Sequence, residues 1–287
     1  MSTPPFLKLP SCARALRVET DRGAFAALWA EPAAGPWRGT ALLVPGFTGS
    51  KEDFIALLEP LADAGFRVVA VDQRGQHETG GEPDPAAYAV AELGRDVLAL
   101  TARLADPDGL HLLGHSFGGQ VVREAVLAAH ASGEPLPWRS LTLLSTGPGA
   151  IDPAEAARTQ LLVDALESMD LETIWQIMRE MDAGKPAPAP EIGEFLHRRW
   201  LANVPTALSV TGSHLVAAPD RVDELAAVPL PKLVVSGVED YAWPVPEQSA
   251  MAERLSARRA VVEGAGHSPN AERPAETAAV LTDFWSA

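Results

Sequence analysis

The stretch that decides the fold is Leu110-His-Leu-Leu-Gly-His-Ser-Phe-Gly-Gly119. Its first residues are mostly apolar, as in a buried strand, and the residues after Ser116 have the apolar spacing of a helix. Glycines stand two residues before and two residues after the serine, at Gly114 and Gly118. A sharp strand-to-helix turn needs them, because a Cβ atom at either position would collide with nearby backbone. The pattern predicts a serine hydroxyl that projects into a crevice at the carboxyl end of a sheet.

On both sides of this stretch, short β-rich runs alternate with longer segments of helical periodicity. Strands that are apolar on both faces and separated by helices indicate parallel βαβ units. Two runs around Asp21-Arg-Gly23 predict an antiparallel hairpin at the sheet edge. The predicted strands are 13–19, 25–30, 40–44, 66–71, 110–113, 140–144, 232–236 and 260–263, and the predicted helices are 53–64, 88–104, 117–131, 153–167, 171–182, 191–203, 247–257 and 274–285. The predicted class is α/β, with a mostly parallel central sheet and helices on both faces.

The alternation stops between residues 147 and 228, where three helical segments follow one another with no β-rich run between them. The joints are rich in proline, notably residues 184–190. We interpret this part as a helical insertion that covers the sheet. The predicted domains are a core made of residues 1–146 and 229–287 and a helical cap, or lid, made of residues 147–228.

The composition limits the possible partners. The formal net charge of −15 at pH 7 disfavours binding to phosphate backbones and to anionic lipid. The single cysteine, Cys12, leaves no intrachain disulfide and no cysteine cage for a metal. No apolar run reaches the roughly 18 residues of a membrane span. We expect a cytoplasmic protein that takes a small-molecule substrate, with no nucleic-acid and no membrane partner, while the oligomeric state is left open.

A serine that attacks a carbonyl must pass its proton to a base, and imidazole has a suitable pKa. His267, in Gly264-Ala-Gly-His-Ser268, follows the last predicted strand and is the candidate base. A buried carboxylate must hold that imidazole in one tautomer. Asp240 follows the preceding strand and is the candidate acid, with its neighbour Glu239 as the alternative.

Five segments together resemble the α/β-hydrolase fold superfamily. They are Val44-Pro-Gly-Phe-Thr-Gly-Ser50, Asp72-Gln-Arg-Gly75, Gly114-His-Ser-Phe-Gly-Gly119, Gly237-Val-Glu-Asp240 and Gly264-Ala-Gly-His267. The resemblance covers residues 24–146 and 229–287, whereas the insertion matches only in its position. The N–H of Phe117, at a helix start, suits an oxyanion, and the resemblance implies the N–H of Phe47 as the second donor. The superfamily often has histidine where this chain has Pro45, so the bracing of this loop is in question.

The cap and the loop after Asp240 supply aromatic residues for a substrate pocket. The candidates are Trp175 and Trp200 in the cap and Trp243 in the loop, which lies over the site. Packing of the cap against the core is the alternative for the two cap residues. No metal-binding or phosphate-binding motif occurs, so we expect no metal and no cofactor.

These residues predict a carboxylesterase-like serine hydrolase that cleaves a small apolar ester or thioester through an acyl-enzyme. A serine at position 116, rather than an aspartate, argues against dehalogenase and epoxide hydrolase chemistry. The same three residues would also serve a carbon–carbon bond hydrolase, a cofactor-free perhydrolase (haloperoxidase) or an aminopeptidase. A protein that binds a small molecule without turning it over is the alternative from another class.

Overall fold

The computed structural model describes residues 2–106, 109–184 and 186–287, and within them eight strands form one sheet. In chain order the strands are β1 (Ala13–Thr20), β2 (Gly23–Ala30), β3 (Gly39–Val44), β4 (Phe66–Val71), β5 (Leu110–His115), β6 (Trp138–Leu144), β7 (Lys232–Gly237) and β8 (Arg258–Val262). Across the sheet their order is β1-β2-β4-β3-β5-β6-β7-β8. β2 pairs antiparallel with β1 and with β4, and all other neighbours are parallel. The predicted α/β class and the predicted edge hairpin are confirmed.

Helices connect these strands. In chain order they are α1 (Ile55–Asp63), α2 (Val90–Leu104), α3 (Phe117–Ala131), α4 (Pro153–Leu166), α5 (Leu171–Met181), α6 (Pro190–Leu201), α7 (Pro205–Ala217), α8 (Val222–Ala226), α9 (Val245–Arg254), α10 (Pro269–Glu272) and α11 (Pro274–Trp285). Short 3-10 turns, Lys51–Phe54 and Pro85–Tyr88, precede α1 and α2. Among the described residues, no helix has the length and apolar character needed to cross a membrane.

The segment between β6 and β7 carries α4 to α8, and the name cap is kept for residues 147–228. Residue 185, in the predicted proline-rich joint, lies outside the described residues. Sequence periodicity misses α7, because its residues are small or apolar all round and include Gly212. A Cβ atom at Gly212 would lie 2.9 Å from Cγ2 of Val163 on α4, so this glycine permits close helix packing. The helices α8 and α10, also missed, have only five and four residues and are too short to show a period.

The central strands β3 to β7 are buried on both faces, as their apolar runs predict, whereas the edge strands β1 and β8 are largely half-buried or exposed. Along β3, Leu42 and Val44 point to one face, and Ala41 and Leu43 point to the other. The first face packs against α2, α3 and α9, and the second packs against α1 and α11. Because β3, β5, β7 and β8 are parallel, their carboxyl ends lie at one edge, and the loops there carry all the predicted active-site residues of the core.

A buried ion pair joins the cap to the core. Arg199 on α6 is fully buried, and its Nη1 donates to Oδ1 of Asp53 at 2.6 Å. Its Nη2 donates to the carbonyl oxygen of Ser2 at 2.7 Å. Asp53 lies in the turn after β3, where its Oδ2 also accepts from the backbone N–H of Ser50 at 3.3 Å. Burial raises the pKa of Asp53, and the Arg199 guanidinium opposes that rise. Neither charge could stay in this dry position without the other.

Replacing Arg199 with methionine should therefore destabilise the fold by about 3–5 kcal/mol, because the Asp53 carboxylate would be left buried without its partner. The matched control is Arg198→Met, which removes an exposed guanidinium 4.0 Å from Glu194 and should cost about 0.5 kcal/mol or less. Urea unfolding measures both values. Equal free energies of unfolding in the two variants would show that the buried pair does not hold the cap in place.

Candidate active site

Ser116 occupies the turn between β5 and α3 in a conformation that few non-glycine residues adopt, with φ 55° and ψ −123°. Its backbone N–H donates to the carbonyl oxygen of Leu144 at 2.9 Å, which helps to hold this turn. A Cβ atom at Gly114 would lie 2.3 Å from the carbonyl oxygen of Gly118, and one at Gly118 would lie 2.4 Å from that of Val44. Both glycines are therefore required by the close backbone packing that the sequence pattern predicts.

The structure brings Ser116, His267 and Asp240 together in one line. Nε2 of His267 lies 3.0 Å from Oγ of Ser116, and Nδ1 of the same ring lies 2.8 Å from Oδ1 of Asp240. Asp240 follows β7 and His267 follows β8, so the two loops meet beside the nucleophile turn. Glu239, the alternative acid, is exposed to solvent. The geometry therefore favours Asp240 as the partner of the imidazole.

The Asp240 carboxylate is held by several donors. Its Oδ1 accepts from the backbone N–H groups of Ala242 at 2.9 Å and Trp243 at 3.2 Å, and its Oδ2 accepts from Nε2 of Gln248 at 2.9 Å. Burial acts to raise the pKa of Asp240, but the hydrogen bond and charge of His267, with the two backbone donors, outweigh burial and lower the pKa. The carboxylate is thus kept ionised, as is needed to fix the His267 ring and to stabilise its cationic form.

The loop after β3 lies directly against Ser116. A Cβ atom at Gly46 would lie 2.9 Å from Cβ of Ser116, so this contact leaves room only for glycine. The N–H of Phe47 belongs to the next residue of this loop, and the N–H of Phe117 begins α3. The two predicted oxyanion donors are therefore carried by chain segments on either side of Ser116.

Sequence reasoning missed two residues that support this loop. Gln73 donates from Nε2 to the carbonyl oxygen of Pro45 at 2.8 Å, and Gln76 donates from Nε2 to that of Gly46 at 2.8 Å. Both glutamines are buried. The signal was present, because Gln73 lies in the Asp72-Gln-Arg-Gly75 turn, but nothing in the sequence says that this turn contacts the loop after β3.

A cavity of about 400 Å³ lies above Ser116, between the core and the cap. Its walls are mainly apolar and come from α4, α5, α6 and α7 of the cap and from the loops after β3 and β7. The large apolar residues that line it are Phe47, Ile151, Leu161, Leu162, Ile174, Ile177, Met178, Met181, Trp200, Leu215 and Trp243. A cavity of this size and character can hold a small apolar ligand.

Of the three tryptophans predicted for the pocket, Trp243 and Trp200 line this cavity, but Trp175 does not. The prediction for Trp175 is wrong. Its ring stacks on His197 of α6 at 5.2 Å between centroids and lines a separate depression of the cap. The reason is helix geometry: Ile174 faces the cavity, and the next residue of α5 points about 100° away around the helix.

The α/β sheet agrees with the comparisons to known proteins. A model of the family described as "Alpha/beta hydrolase family" matches residues 41–280. The chain belongs to the alpha/beta hydrolase family. The putative carbamate hydrolase RutD of Variovorax paradoxus is 38% identical over 112 residues, which make up 39% of this chain and only 40% of that relative.

Other relatives match this alpha/beta hydrolase over most of its length. The putative carbamate hydrolase RutD of Rhizobium rhizogenes is 26% identical over 246 residues, 83% of this chain and 88% of that relative. A solved structure, a hydrolase from Pseudomonas aeruginosa, superposes with a TM-score of 0.74 at 23% identity, over 96% of this chain and 99% of the other. At this level of identity, the structural likeness shows the fold.

Two aromatic rings of this alpha/beta hydrolase flank the His267 imidazole. The ring of Tyr241 lies 4.7 Å from it between centroids, and the ring of Trp243 lies nearly parallel to it at 6.4 Å. The indole N–H of Trp243 donates to the carbonyl oxygens of Gly149 and Ala150, each at 3.1 Å. These bonds join the loop after Asp240 to the first residues of the cap, so the wall beside the imidazole is fixed.

His115, next to the nucleophile, is fully buried and is not part of the line of three side chains. Its Nε2–H donates to the carbonyl oxygen of His267 at 2.9 Å, while its Nδ1 finds no partner among the residues that the structure describes. Burial, and then the nearby His267 ring, lower the pKa of His115 to about 3. The ring therefore stays neutral and anchors the backbone of His267.

Three side chains outside this site, Glu52, His77 and Glu78, place possible metal ligands within 4.8 Å of one another. Nζ of Lys51 already lies 2.9 Å from the Glu52 carboxylate and 2.8 Å from the Glu78 carboxylate. The ammonium group supplies the positive charge that a cation would bring, so we assign no metal to this cluster.

The low pKa of His115 makes stability depend on pH. As the pH falls from 6.5 towards 3, the unfolded chain protonates His115 and the folded chain does not. The free energy of unfolding should therefore fall, with a contribution of up to about 1.4 kcal/mol per pH unit. In His115→Leu this contribution should vanish, so urea unfolding across the window should give a flatter slope than wild type. An unchanged slope would mean that the folded protein protonates His115.

Proposed function

We propose that this alpha/beta hydrolase is a serine hydrolase that cleaves an apolar ester or thioester through an acyl-enzyme. The observation that carries the proposal is the line from Oγ of Ser116 to Nε2 of His267 at 3.0 Å and from Nδ1 of His267 to Oδ1 of Asp240 at 2.8 Å. A hydroxyl, an imidazole and an ionised carboxylate in this order can pass a proton in both directions at neutral pH.

In the first half of the proposed reaction, Oγ of Ser116 attacks the carbonyl carbon while its proton moves to Nε2 of His267. The tetrahedral intermediate then collapses, and His267 gives that proton to the departing alcohol or thiol. In the second half, water attacks the acyl group on Ser116, again losing a proton to His267, and the carboxylic acid product leaves as the serine regains its proton. Asp240 stays ionised throughout and stabilises the imidazolium.

The N–H groups of Phe47 and Phe117 are proposed to bind the oxygen that becomes negative in both tetrahedral intermediates. Support comes from the contact of Gly46 with Ser116 and from the position of Phe117 at the first residue of α3, where N–H groups are free and the helix dipole favours an anion. A single donor of this kind contributes about 2.7–4 kcal/mol to transition-state stabilisation in serine hydrolases.

The apolar walls of the cavity support a substrate with an apolar acyl or alkyl chain. Three of its lining residues lie at a rim between α4 and α5 and remain open to solvent: Leu161 is 67% exposed, Ile177 41% and Met181 75%. Apolar side chains that line a catalytic cavity and face water gain most when a ligand covers them. We infer that the far end of the substrate's acyl or alkyl chain leaves the cavity across this rim.

Carbamate hydrolysis is a second candidate, favoured by the names of the two RutD relatives. A carbamate presents the same carbonyl to Ser116, with a nitrogen or oxygen leaving group that His267 would protonate. The mainly apolar walls of the cavity favour ester or thioester hydrolysis over carbamate hydrolysis. A panel of esters, thioesters, carbamates and amino-acid amides, with an apolar group of graded length in each, separates these activities.

Replacing Ser116 with alanine should lower kcat for p-nitrophenyl esters by about 10⁴-fold or more, because the attacking atom is removed. The matched control is Ser145→Ala, which changes a buried serine after the neighbouring strand β6 and should keep its activity. A fluorophosphonate should label wild type at Ser116, as read by mass spectrometry. Wild-type turnover in Ser116→Ala would overturn the proposal, and binding of small molecules without labelling or turnover would favour a non-catalytic protein.

Replacing Leu161 or Met181 with glutamine should lower kcat/KM for octanoyl esters by about fivefold and leave acetyl esters unchanged. Each change removes part of the apolar surface that only the longer chain can cover. The control is Met169→Gln, because Met169 is 43% exposed but lies outside the cavity lining. If kcat/KM fell equally for the acetyl and the octanoyl ester, the acyl chain of the substrate would not cross this rim.

A further inference from the structure

The loop after β3, residues 45–50, is called the oxyanion loop here because it carries the proposed Phe47 donor. It lies beside the turn at residues 72–76, which follows the neighbouring strand β4. Nε2 of Gln76 donates to the carbonyl oxygen of Gly46 at 2.8 Å, and Nε2 of Gln73 donates to that of Pro45 at 2.8 Å. Two successive peptide units of the oxyanion loop are thus held by side-chain amides.

The Gly46 carbonyl and the Phe47 N–H belong to one peptide unit. Because that peptide is planar and trans, its C=O and N–H point in opposite directions. A hydrogen bond that fixes the direction of the carbonyl therefore fixes the direction of the N–H. The amide of Gln76 holds the carbonyl end of the unit whose other end is the proposed oxyanion donor.

The loop needs this support because its own backbone supplies little. Pro45 has no N–H to donate, and Gly46 can adopt many backbone conformations. Within the same loop, the Gly46 carbonyl accepts one further hydrogen bond, from the N–H of Gly49 at 3.1 Å. The superfamily resemblance leads one to expect a histidine at position 45, and in its place two side chains from another loop do the bracing.

We propose that Gln76 is a positioning residue that aims the Phe47 N–H at the oxyanion and that Gln73 assists it. This inference rests on the proposed serine hydrolase function. Gln76 is itself oriented, since its Oε1 accepts from the backbone N–H of Gln73 at 3.1 Å. The carbonyl-binding NH₂ group therefore faces Gly46, and the assignment of its oxygen and nitrogen follows from the donors and acceptors around it.

The turn that carries the glutamines is rigid. Gly75 has φ +82°, and a Cβ atom there would lie 2.4 Å from Cβ of Ala207 in the cap and 2.7 Å from the Tyr88 ring. Arg74 donates to both carboxylate oxygens of Asp96 on α2, at 2.7 Å each. A fixed platform of this kind can hold a hydrogen bond to the accuracy that a transition state requires.

The same turn is tied to the far end of the oxyanion loop. Oδ1 of Asp72 accepts from the backbone N–H of Lys51 at 2.7 Å, and its Oδ2 lies 3.0 Å from Nζ of Lys51. Both residues are fully buried. The loop is therefore held at its start by the glutamines and at its end by this ion pair, and of these side chains it is Gln76 that bonds to the peptide carrying the Phe47 N–H.

The test compares Gln76→Met and Gln76→Glu with wild type. The substrate is an ester whose acyl chain is long enough that a longer one gives no further gain in activity. We expect Gln76→Met to lower kcat by about 10- to 100-fold with KM within about threefold, since the donor is misaligned only where it acts, in the transition state. Gln76→Glu keeps the size of the side chain but turns a carboxylate oxygen towards the Gly46 carbonyl, so it should lose more. Gln73→Met acts one peptide further away and should lose less than Gln76→Met.

A readout of transition-state binding separates positioning from loss of structure. An alkylboronic acid forms a tetrahedral adduct with Ser116 and should bind each variant more weakly by the same factor as kcat/KM falls. An alkyl amide of equal length binds without forming that adduct, and its affinity should stay within about threefold. The control is Gln176→Met, the same substitution at an exposed glutamine of α5 that bonds to Glu172, and it should match wild type in both measurements.

Thermal unfolding identifies variants that fail to fold, and the kinetics of the folded ones decide the question. If folded Gln76→Met keeps kcat and boronate affinity within about twofold of wild type, the Gly46–Phe47 peptide is aimed without Gln76 and the inference is wrong. If boronate and amide affinities fall together, Gln76 shapes the cavity and does not aim the donor. Full activity of Ser116→Ala would instead overturn the proposed function, so the two failures are distinct.

Discussion

Close backbone packing at the carboxyl edge of the sheet is the constraint on which the site depends. Among the glycines where a Cβ atom would lie within 3 Å of another atom are Gly46, Gly118 and Gly237, which meet another loop or turn, and Gly114, which meets the backbone of the Ser116 turn itself. A Cβ atom at Gly237 would meet the carbonyl oxygens of residues 265 and 266, which lie in the loop after β8 and lead into His267. A side chain at Gly46 or Gly118 would push apart the loop after β3 and the turn after β5, one at Gly237 would push apart the segments after β7 and β8, and one at Gly114 would distort the Ser116 turn. The separation of the hydroxyl, the imidazole and the carboxylate is therefore set by backbone contacts more than by the three side chains themselves.

Two buried ion pairs connect the segments next to that edge of the sheet. In a chain with a net charge of −15, two of the buried cations lie next to the oxyanion loop and each is paired: Lys51 with Asp72, and Arg199 with Asp53. Both pairs use the turn Lys51–Phe54, which directly follows the oxyanion loop: the first ties this turn to the one after β4, and the second ties it to the cap. Because a lone buried charge is costly, each pair is sensitive to the loss of one partner. The cap and the proposed oxyanion donor are thus linked through a single short segment, residues 51–54.

The surroundings of His267 allow its imidazole to take up a proton while they hold the ring in place. Asp240 is kept ionised by backbone donors, and His115 is kept neutral by burial, so one neighbour attracts a cation and the other adds no charge. Aromatic rings of Tyr241 and Trp243 limit where the imidazole can turn. These features suit a base that must accept a proton and return it without leaving its position.

Periodicity and glycine spacing along the chain were enough to predict the α/β class, the edge hairpin and the turn that presents Ser116, because these depend on neighbouring residues. His267 and Asp240 became candidates because each follows a strand whose carboxyl end lies at one edge, and because of the resemblance to the superfamily; the structure places both at hydrogen-bonding distance along the predicted line. The helix α7 escaped prediction because its polar and apolar residues follow no helical period. Trp175 was misplaced because a helix has several faces and the sequence does not say which one meets the cavity. The bracing of Gly46 by Gln76 was decided by the tertiary structure alone, because a hydrogen bond between two loops depends on strand order, and strand order is set by how the whole sheet packs.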